Sequence, residues 1–470
     1  MWQPDLTGRP RPRYRAIADA LAEAVADGTL PPGTRLPTHR ALAERLGVTV
    51  GTVTRAYTEA ERRGVVDATV GSGTFVRRGG GDSLATGPMR VDEAAHAKPG
   101  TAGTTETVAD LSTNAPAPGP VTETLAAIAA ELPGRADWQR VGAYQAAAGH
   151  PDHRAALATW LSRTRMPASA EEIVPVAGVQ TGQALALQLL CDPGDSVLLG
   201  DLTWPGMRDA CQMQRLRPVG VAMDAEGIRP DALDEAARRT GARVVFTMPT
   251  LHNPTTATMG EARRRDVLAI ARAHGLTVLE DDIYGFLAGD AAQPLAALDR
   301  ERVVYLNSLS KAVAPGLRAG VVIPPPGLRP RFAAAVRAGM LMTPPLDLEW
   351  AKIAVESGLA ERAAAAQRTA AATRQRRLGE RLAGHALHTD ARAFHAWLTL
   401  PEGWSTSAFT RAAEARGVVV TPGDAFAHGA DPRAVRLCLC APESEAVLAG
   451  ALDTLAELLA TPPESLGPVV

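Results

Sequence analysis

From residue 108 onward, short apolar runs alternate with helical stretches, at 173–176, 196–199, 244–248, 277–279 and 303–306. Runs of this kind read as strands buried on both faces. Parallel strands need helical crossovers to join them, so the pattern predicts a largely parallel sheet with helices over both faces. The Ala- and Arg-rich stretch 351–384 reads as one long helix. Residues 397–400 and 435–439 read as strands of a smaller α/β lobe, drawn largely from 375–470.

The first 78 residues follow a different plan. Tyr14, Ile17, Leu21 and Val25 recur at helical spacing until Gly28. Thr38 can cap a second helix that runs to Leu46 and stops at Gly47. Thr49 can cap a third, with Val53, Tyr57 and Ala60 as its inward stripe, up to Gly64. Val65-Val66 and Thr74-Phe75-Val76 then flank Gly71-Ser72-Gly73, two short strands with a glycine-rich tip. Three helices and a hairpin predict a winged helix-turn-helix over 1–78. This head holds 12 Arg against eight acidic residues, a net +4 in a chain of net −2. A basic head on an acidic body suits a nucleic-acid-binding module. Residues 79–107 are small and polar, start with Gly79-Gly80-Gly81 and lack apolar periodicity, so they read as a flexible linker. The body is 108–470.

Composition excludes other classes. At 46% hydrophobic and 21% charged residues, the composition is ordinary for a globular protein and excludes wholesale disorder. No run nears the ~18 consecutive apolar residues of a membrane span, and the polar start MWQPDLTGRPRPR is not a signal peptide. Cys191, Cys211, Cys438 and Cys440 are too few for a disulfide scaffold, so a cytoplasmic setting is expected. Cys438-x-Cys440 has no second pair or histidine at ligand spacing, and no metal site is expected.

Arginine outnumbers lysine by 46 to three (Lys98, Lys311 and Lys352), so each retained lysine invites a lysine-specific reason. Lys311 lies in Ser308-Leu309-Ser310-Lys311, just after the run at 303–306, with Arg318 seven residues on. Ligands of doubly wound sheets sit at the carboxyl ends of the strands. A lysine there can form a Schiff base with a carbonyl compound if burial or nearby cations lower its pKa. Ser308, Ser310 and Arg318 suit a phosphate. An aldehyde that carries a phosphate is pyridoxal phosphate (PLP). A surface lysine beside a serine-rich turn would look the same, so the other strand ends decide.

Glu280-Asp281-Asp282-Ile283-Tyr284 closes one run, where a carboxylate can keep a pyridinium protonated. A solvated acidic loop is the plain alternative. Gly178-Val179-Gln180 opens a helix after another run, where N–H groups can approach a phosphate. Trp204 follows the run at 196–199 and could stack on a flat ring. Asn253 follows 244–248 and could donate to a ring oxygen. Five strand-end motifs in one compatible order favour the cofactor.

On these residues the body resembles a fold-type I aminotransferase. The resemblance implies that Lys311 is the Schiff-base lysine, that Asp281 pairs with the pyridine nitrogen, and that Tyr284 and Asn253 hold the ring 3-oxygen. It implies that Trp204 stacks on the ring. Gly178, Val179, Gln180, Ser308, Ser310 and Arg318 match the phosphate cup. Tyr144 resembles the tyrosine that reaches the phosphate from the other subunit of a homodimer. Arg436 matches the arginine that takes a substrate α-carboxylate with two parallel hydrogen bonds; a plain surface arginine is the other reading.

In the head, Gly33-Thr34-Arg35-Leu36-Pro37-Thr38-His39-Arg40 and Gly47-Val48-Thr49-Val50-Gly51-Thr52-Val53-Thr54-Arg55-Ala56-Tyr57 resemble GntR-type winged helices. Thr38 and Val50 stand where that family usually has serine and arginine. Head, linker and aminotransferase-like body, in that order, resemble the MocR/GabR-type regulators, which commonly have a tyrosine at the Trp204 position. The resemblance implies a third helix in the major groove, starting at Thr49, with Thr52 and Arg55 near base edges. Arg35, Thr38 and Arg40 would lie by the phosphate backbone, and Gly71 and Gly73 would let the wing tip approach the duplex. The function implied is a transcription regulator that binds double-stranded DNA and senses PLP, or an amino-acid-like effector, as an aldimine. A working aminotransferase with an appended head stays open, because the catalytic set Lys311, Asp281 and Tyr284 is complete.

Overall fold

The computed structural model describes residues 12–26, 29–31, 33–62, 65–69, 73–76, 108–289 and 291–461, with Trp2, Pro4 and Leu6. The proposed linker 79–107 and the tip residue Gly71 lie outside the described residues.

The five apolar runs form Val174–Val176, Ser196–Gly200, Val244–Thr247, Thr277–Asp281 and Val303–Ser308, every residue buried except the half-buried Thr277. Two strands that the apolar pattern does not reveal complete a seven-stranded sheet. Gly320–Ile323 inserts between Val174–Val176 and Val303–Ser308 and runs antiparallel to both. Arg217–Val221 adds parallel to Ser196–Gly200 at the far edge. It contains Pro218 and Gly220, which an edge strand tolerates and a central one does not. Thr277–Asp281 and Val303–Ser308 are parallel neighbours with Asp281 opposite Leu306. That register puts Asp281 and the Ser308-to-Lys311 turn at the same end of the sheet.

Residues 351–384 are not one helix. Two helices, Pro345–Glu356 and Leu359–Arg381, meet at Gly358, whose φ of 74° breaks the first and starts the second. The alanine-rich composition hides this break, because only a single glycine marks it.

The smaller lobe is a five-stranded sheet ordered Leu387–His388, His395–Thr399, Ala434–Cys438, Val418–Pro422 and Ala109–Leu111. Its last strand comes from the opposite end of the body and pairs parallel with Val418–Pro422. Its core holds Phe409, Leu437, Leu398 and Leu452, all fully buried.

In the head, helices Arg13–Ala26, His39–Leu46 and Val50–Arg62 pack with the hairpin Val66–Thr69 and Gly73–Val76. Ile17, Leu21, Leu42 and Val53 are fully buried, and Tyr57 donates to Pro37 O at 2.9 Å. Thr38 caps the second helix by accepting from Ala41 N, and Gly47 ends it at φ 59°.

Candidate functional site

Gly178 precedes helix Val179–Leu190 with φ 87°, a conformation open to glycine because it has no Cβ. A Cβ there would stand 2.1 Å from Arg318 Nη2, so the guanidinium lies directly over the bare Cα. Arg318 Nη1 donates to Pro315 O at 3.1 Å and Ser310 Oγ at 3.4 Å, and Nη2 to Ala177 O at 3.4 Å. Ser308 Oγ accepts from Ser310 N at 3.2 Å, which curls the chain toward Lys311. The first-turn N–H groups of Val179 and Gln180, two serine hydroxyls and a guanidinium thus gather in one cup, a donor set that fits a phosphate. Two further glycines make the cup possible and went unread in the sequence. A Cβ on Gly320 would meet the Gly178 backbone at 2.8 Å, and one on Gly182 would meet Leu306 and Val322 at 2.8 and 2.9 Å.

Lys311 is half-buried, and its Nζ donates to Asn114 O. Burial, aided by Arg436 and Arg318 and opposed by Cys438 and Asp281, lowers its pKa to about 8. The acidic triplet is no solvated loop: Glu280, Asp281 and Asp282 are 0%, 4% and 0% exposed. Glu280 accepts from Leu295 N and Ala296 N at 2.8 Å, and Asp282 from the Tyr305 hydroxyl at 2.9 Å. These two are tied into the fold. Asp281 Oδ2 accepts from Gln183 Nε2 at 2.9 Å and Oδ1 from Ile283 N at 3.1 Å. Burial pushes its carboxyl up to about 7, a group that a neighbouring pyridinium would keep ionised.

Tyr284 and Asn253 converge from separate strand ends. The Tyr284 hydroxyl accepts from Asn114 Nδ2 at 2.7 Å, so its own proton is left to donate. Asn253 Oδ1 accepts from Arg436 Nη1 at 2.9 Å, which turns its amide nitrogen away from the arginine. Arg436 is not a surface residue: it is 4% exposed and stacks 4.7 Å from the Phe426 ring centroid. Its Nη2 donates to Ser112 O at 2.5 Å and Thr421 Oγ1 at 3.2 Å. Both Nη2 protons are therefore engaged. Two parallel bonds to a carboxylate require one of these acceptors to yield. Trp204 is half-buried, its ring folded over Gly206, where a Cβ would stand 2.2 Å from Cη2. Tyr144 is 85% exposed on its own protomer.

Asn114 and His395 complete the site without any sequence motif to announce them. Asn114 lies in the loop after Ala109–Leu111, far in sequence from Lys311, and His395 opens an ordinary-looking strand. Among the described residues no group of three or more His, Cys, Asp or Glu could hold a metal.

On the head, Arg35, Thr38, Arg40, Thr49 and Arg55 are exposed, and Thr52 is half-buried. Thr49 Oγ1 accepts from Thr52 N at 3.2 Å and lies 2.9 Å from Thr52 Oγ1, so these hydroxyls are partnered to each other at the start of the third helix. Val50 is 44% exposed at that start, and Thr54 is exposed beside Arg55. Gly73 begins the second wing strand. No helix among the described residues is long and apolar enough to cross a membrane.

Comparison with known proteins gives the same two parts. The family described as "Aminotransferase class I and II" matches residues 106–455, and "Bacterial regulatory proteins, gntR family" matches residues 13–76. The chain is 28% identical over 461 residues to the HTH-type transcriptional regulator YdeF of Bacillus subtilis, covering 97% of this chain and 96% of that one. An archaeal alanine:glyoxylate aminotransferase structure superposes with TM-score 0.70 at 26% identity, over 76% of this chain and 91% of that one. LysN, the α-aminoadipate aminotransferase of Thermus thermophilus, solved with N-(5'-phosphopyridoxyl)-L-leucine, gives 0.68 at 25% identity over 75% and 92%. The chain belongs to the class I and II aminotransferase family, whose cofactor is pyridoxal phosphate, and carries a GntR-family helix-turn-helix head as the MocR-type regulators do.

Proposed function

We propose that the chain is a PLP-dependent transcription regulator whose head binds double-stranded DNA and whose body senses PLP or a carboxylate-bearing amine. One observation carries the reading: a chain with three lysines keeps Lys311 beside a phosphate cup, in a body fused to a DNA-binding head. When bound, PLP supplies an electrophilic carbon and an electron-withdrawing ring.

The protein's own groups do the rest. Arg318, Ser308, Ser310 and the N–H groups of Val179 and Gln180 hold the phosphate. Asp281, aimed by Gln183 and Ile283 N, pairs with the ring nitrogen. Tyr284 and Asn253 donate to the ring oxygen, and Trp204 lies against the ring. Lys311, its pKa near 8, has a usable unprotonated fraction close to neutral pH. Arg436 selects a carboxylate. Exposed Trp138, Tyr144, Leu341 and Leu346 suit an apolar homodimer face, across which Tyr144 would reach the partner's phosphate. Arg55 and Val50 would read base edges, the valine against a thymine methyl, while Arg35, Thr38 and Arg40 contact phosphates. Such a protein works in the cytoplasm, on domains divided as 1–78, 79–107 and 108–470.

The set Lys311, Asp281, Tyr284, Asn253 and Arg436 also suits turnover, so an active aminotransferase is the second reading. Visible absorption of the PLP-loaded protein, with a panel of amino acids, separates them. One amino acid that shifts the spectrum without turnover, and also changes DNA affinity, supports the sensor. Repeated conversion restored by a keto acid, with DNA affinity unchanged, supports the enzyme.

A further inference from the structure

Residues 112–116 bridge the two lobes. They follow strand Ala109–Leu111, an edge strand of the smaller lobe that begins where the sequence between head and body ends. Ser112 O accepts from Arg436 Nη2 at 2.5 Å and from Thr421 Oγ1 at 2.9 Å. Asn114 O accepts from Lys311 Nζ. Asn114 Nδ2 donates to the Tyr284 hydroxyl at 2.7 Å and lies 3.2 Å from His395 Nδ1. Two residues, Ser112 and Asn114, thus touch the amine, the hydroxyl and the guanidinium of the site.

His395 fixes which way the Asn114 amide points. Its Nε2 donates to His252 O at 3.1 Å, and burial, followed by the charge of Arg436, holds the ring neutral with a pKa near 3. A neutral imidazole that donates from Nε2 must accept at Nδ1. The amide nitrogen therefore faces the ring; a flipped amide would set two acceptors against each other. Asn114 spends its N–H donors on Tyr284 and His395, and the Tyr284 proton is left for the site.

We propose that Asn114 is the positioning residue for Lys311 and Tyr284, and that residues 112–114 carry the occupancy of the site to the strand that leads to the DNA-binding head. The inference rests on the reading of the body as a cofactor-bearing sensor. Two events release this strap. A carboxylate on Arg436 that displaces Ser112 O from Nη2 removes the charged donor from that carbonyl and loosens Ser112. An amine at Lys311 that leaves Asn114 O removes the second tie. Each tie changes local opening by about fivefold.

The test uses a DNA duplex selected by the wild-type chain and the full-length Asn114→Ala variant, which keeps the backbone carbonyl at 114 but loses the side-chain bonds to Tyr284 and His395 that hold that carbonyl at Lys311. The variant should still form the PLP chromophore and should bind DNA without PLP to within about twofold of wild type, while the change in DNA affinity on PLP loading shrinks about fivefold or more. A variant that binds PLP and keeps the full response overturns the inference alone. A wild-type chain that binds PLP, with no change in DNA affinity either on PLP loading or on adding any carboxylate-bearing amine of the panel, overturns the inference together with the sensor reading. Hydrogen exchange of the wild-type chain decides the matter if the variant does not fold. The amides of Ser112, Ala115 and Ala117, bonded to Asp110 Oδ1, Thr113 O and Gln367 Oε1, should exchange about fivefold faster on PLP loading. Unchanged or slower exchange overturns the proposal.

Discussion

Replacing Gly178 with alanine tests the phosphate cup through its tightest contact. Two costs separate cleanly. An alanine at φ 87° and ψ 163°, a conformation essentially confined to glycine, strains the backbone by about 1–3 kcal/mol, which lowers the stability of the loaded and PLP-free protein alike. The new Cβ would also stand 2.1 Å from Arg318 Nη2 and 2.7 Å from Cζ. The backbone has little room to retreat, because Gly320 is packed so tightly behind it that even a Cβ there would lie 2.8 Å from Gly178. The guanidinium must swing out. Losing one charge-assisted hydrogen bond to the phosphate costs about 1.5–3 kcal/mol, or roughly 10- to 150-fold in PLP affinity. Titration of PLP into the cofactor-free variant, followed by absorbance, gives that number directly, and DNA binding reports whether the head is intact. Arg318→Ala should weaken PLP similarly, and the double variant should add little, since both changes remove the same contact. A Gly178→Ala protein that binds PLP within about twofold of wild type would refute the cup as described.

Other changes bear on separate parts of the account. Lys311→Ala should abolish the borohydride-reducible PLP adduct and leave effector-free DNA binding unchanged; a reducible adduct in that variant would contradict the assignment. Burial raises the Asp281 carboxyl from 3.8 to about 7, so the PLP-free folded state keeps a proton that the unfolded chain releases, and stability falls as pH climbs through that window. Asp281→Asn removes this share, so its melting temperature should drop less than that of wild type between about pH 5 and pH 7. An equal drop would refute it. Arg55→Ala should cost about 1–3 kcal/mol on the selected duplex and relax preference at one base, while Arg40→Ala should weaken all duplexes alike and flatten the salt slope by about one unit. Equal losses on specific and random DNA for both variants would contradict the division of roles.

Much of the site was legible because its chemistry sits at strand ends. Buried parallel strands are continuous apolar runs, so their carboxyl ends can be found from sequence, and Lys311, Asp281, Asn253 and Gly178 follow. The antiparallel insertion Gly320–Ile323 was not legible, since three apolar residues between Gly320 and Pro324 carry no periodicity. Gly182 and Gly320 matter only through close approach, which no local pattern encodes. Asn114 and His395 act through a pairing that brings residues 281 positions apart to 3.2 Å, and the parallel strand Ala109–Leu111 in the smaller lobe creates it. In the head, spacing revealed the helices and caps. It did not reveal that the Thr49 and Thr52 hydroxyls partner each other, or that Val50 stays exposed.

The most direct test of the central claim is the affinity of the full-length chain for its selected duplex, measured without PLP, with PLP, and with PLP plus each amino acid of a panel. Linkage requires that any ligand that shifts DNA affinity has its own affinity shifted by DNA to the same extent. The account expects such a reciprocal shift on PLP loading or with one carboxylate-bearing amine. DNA affinity identical in every state, alongside steady turnover of amino and keto acids, would contradict it.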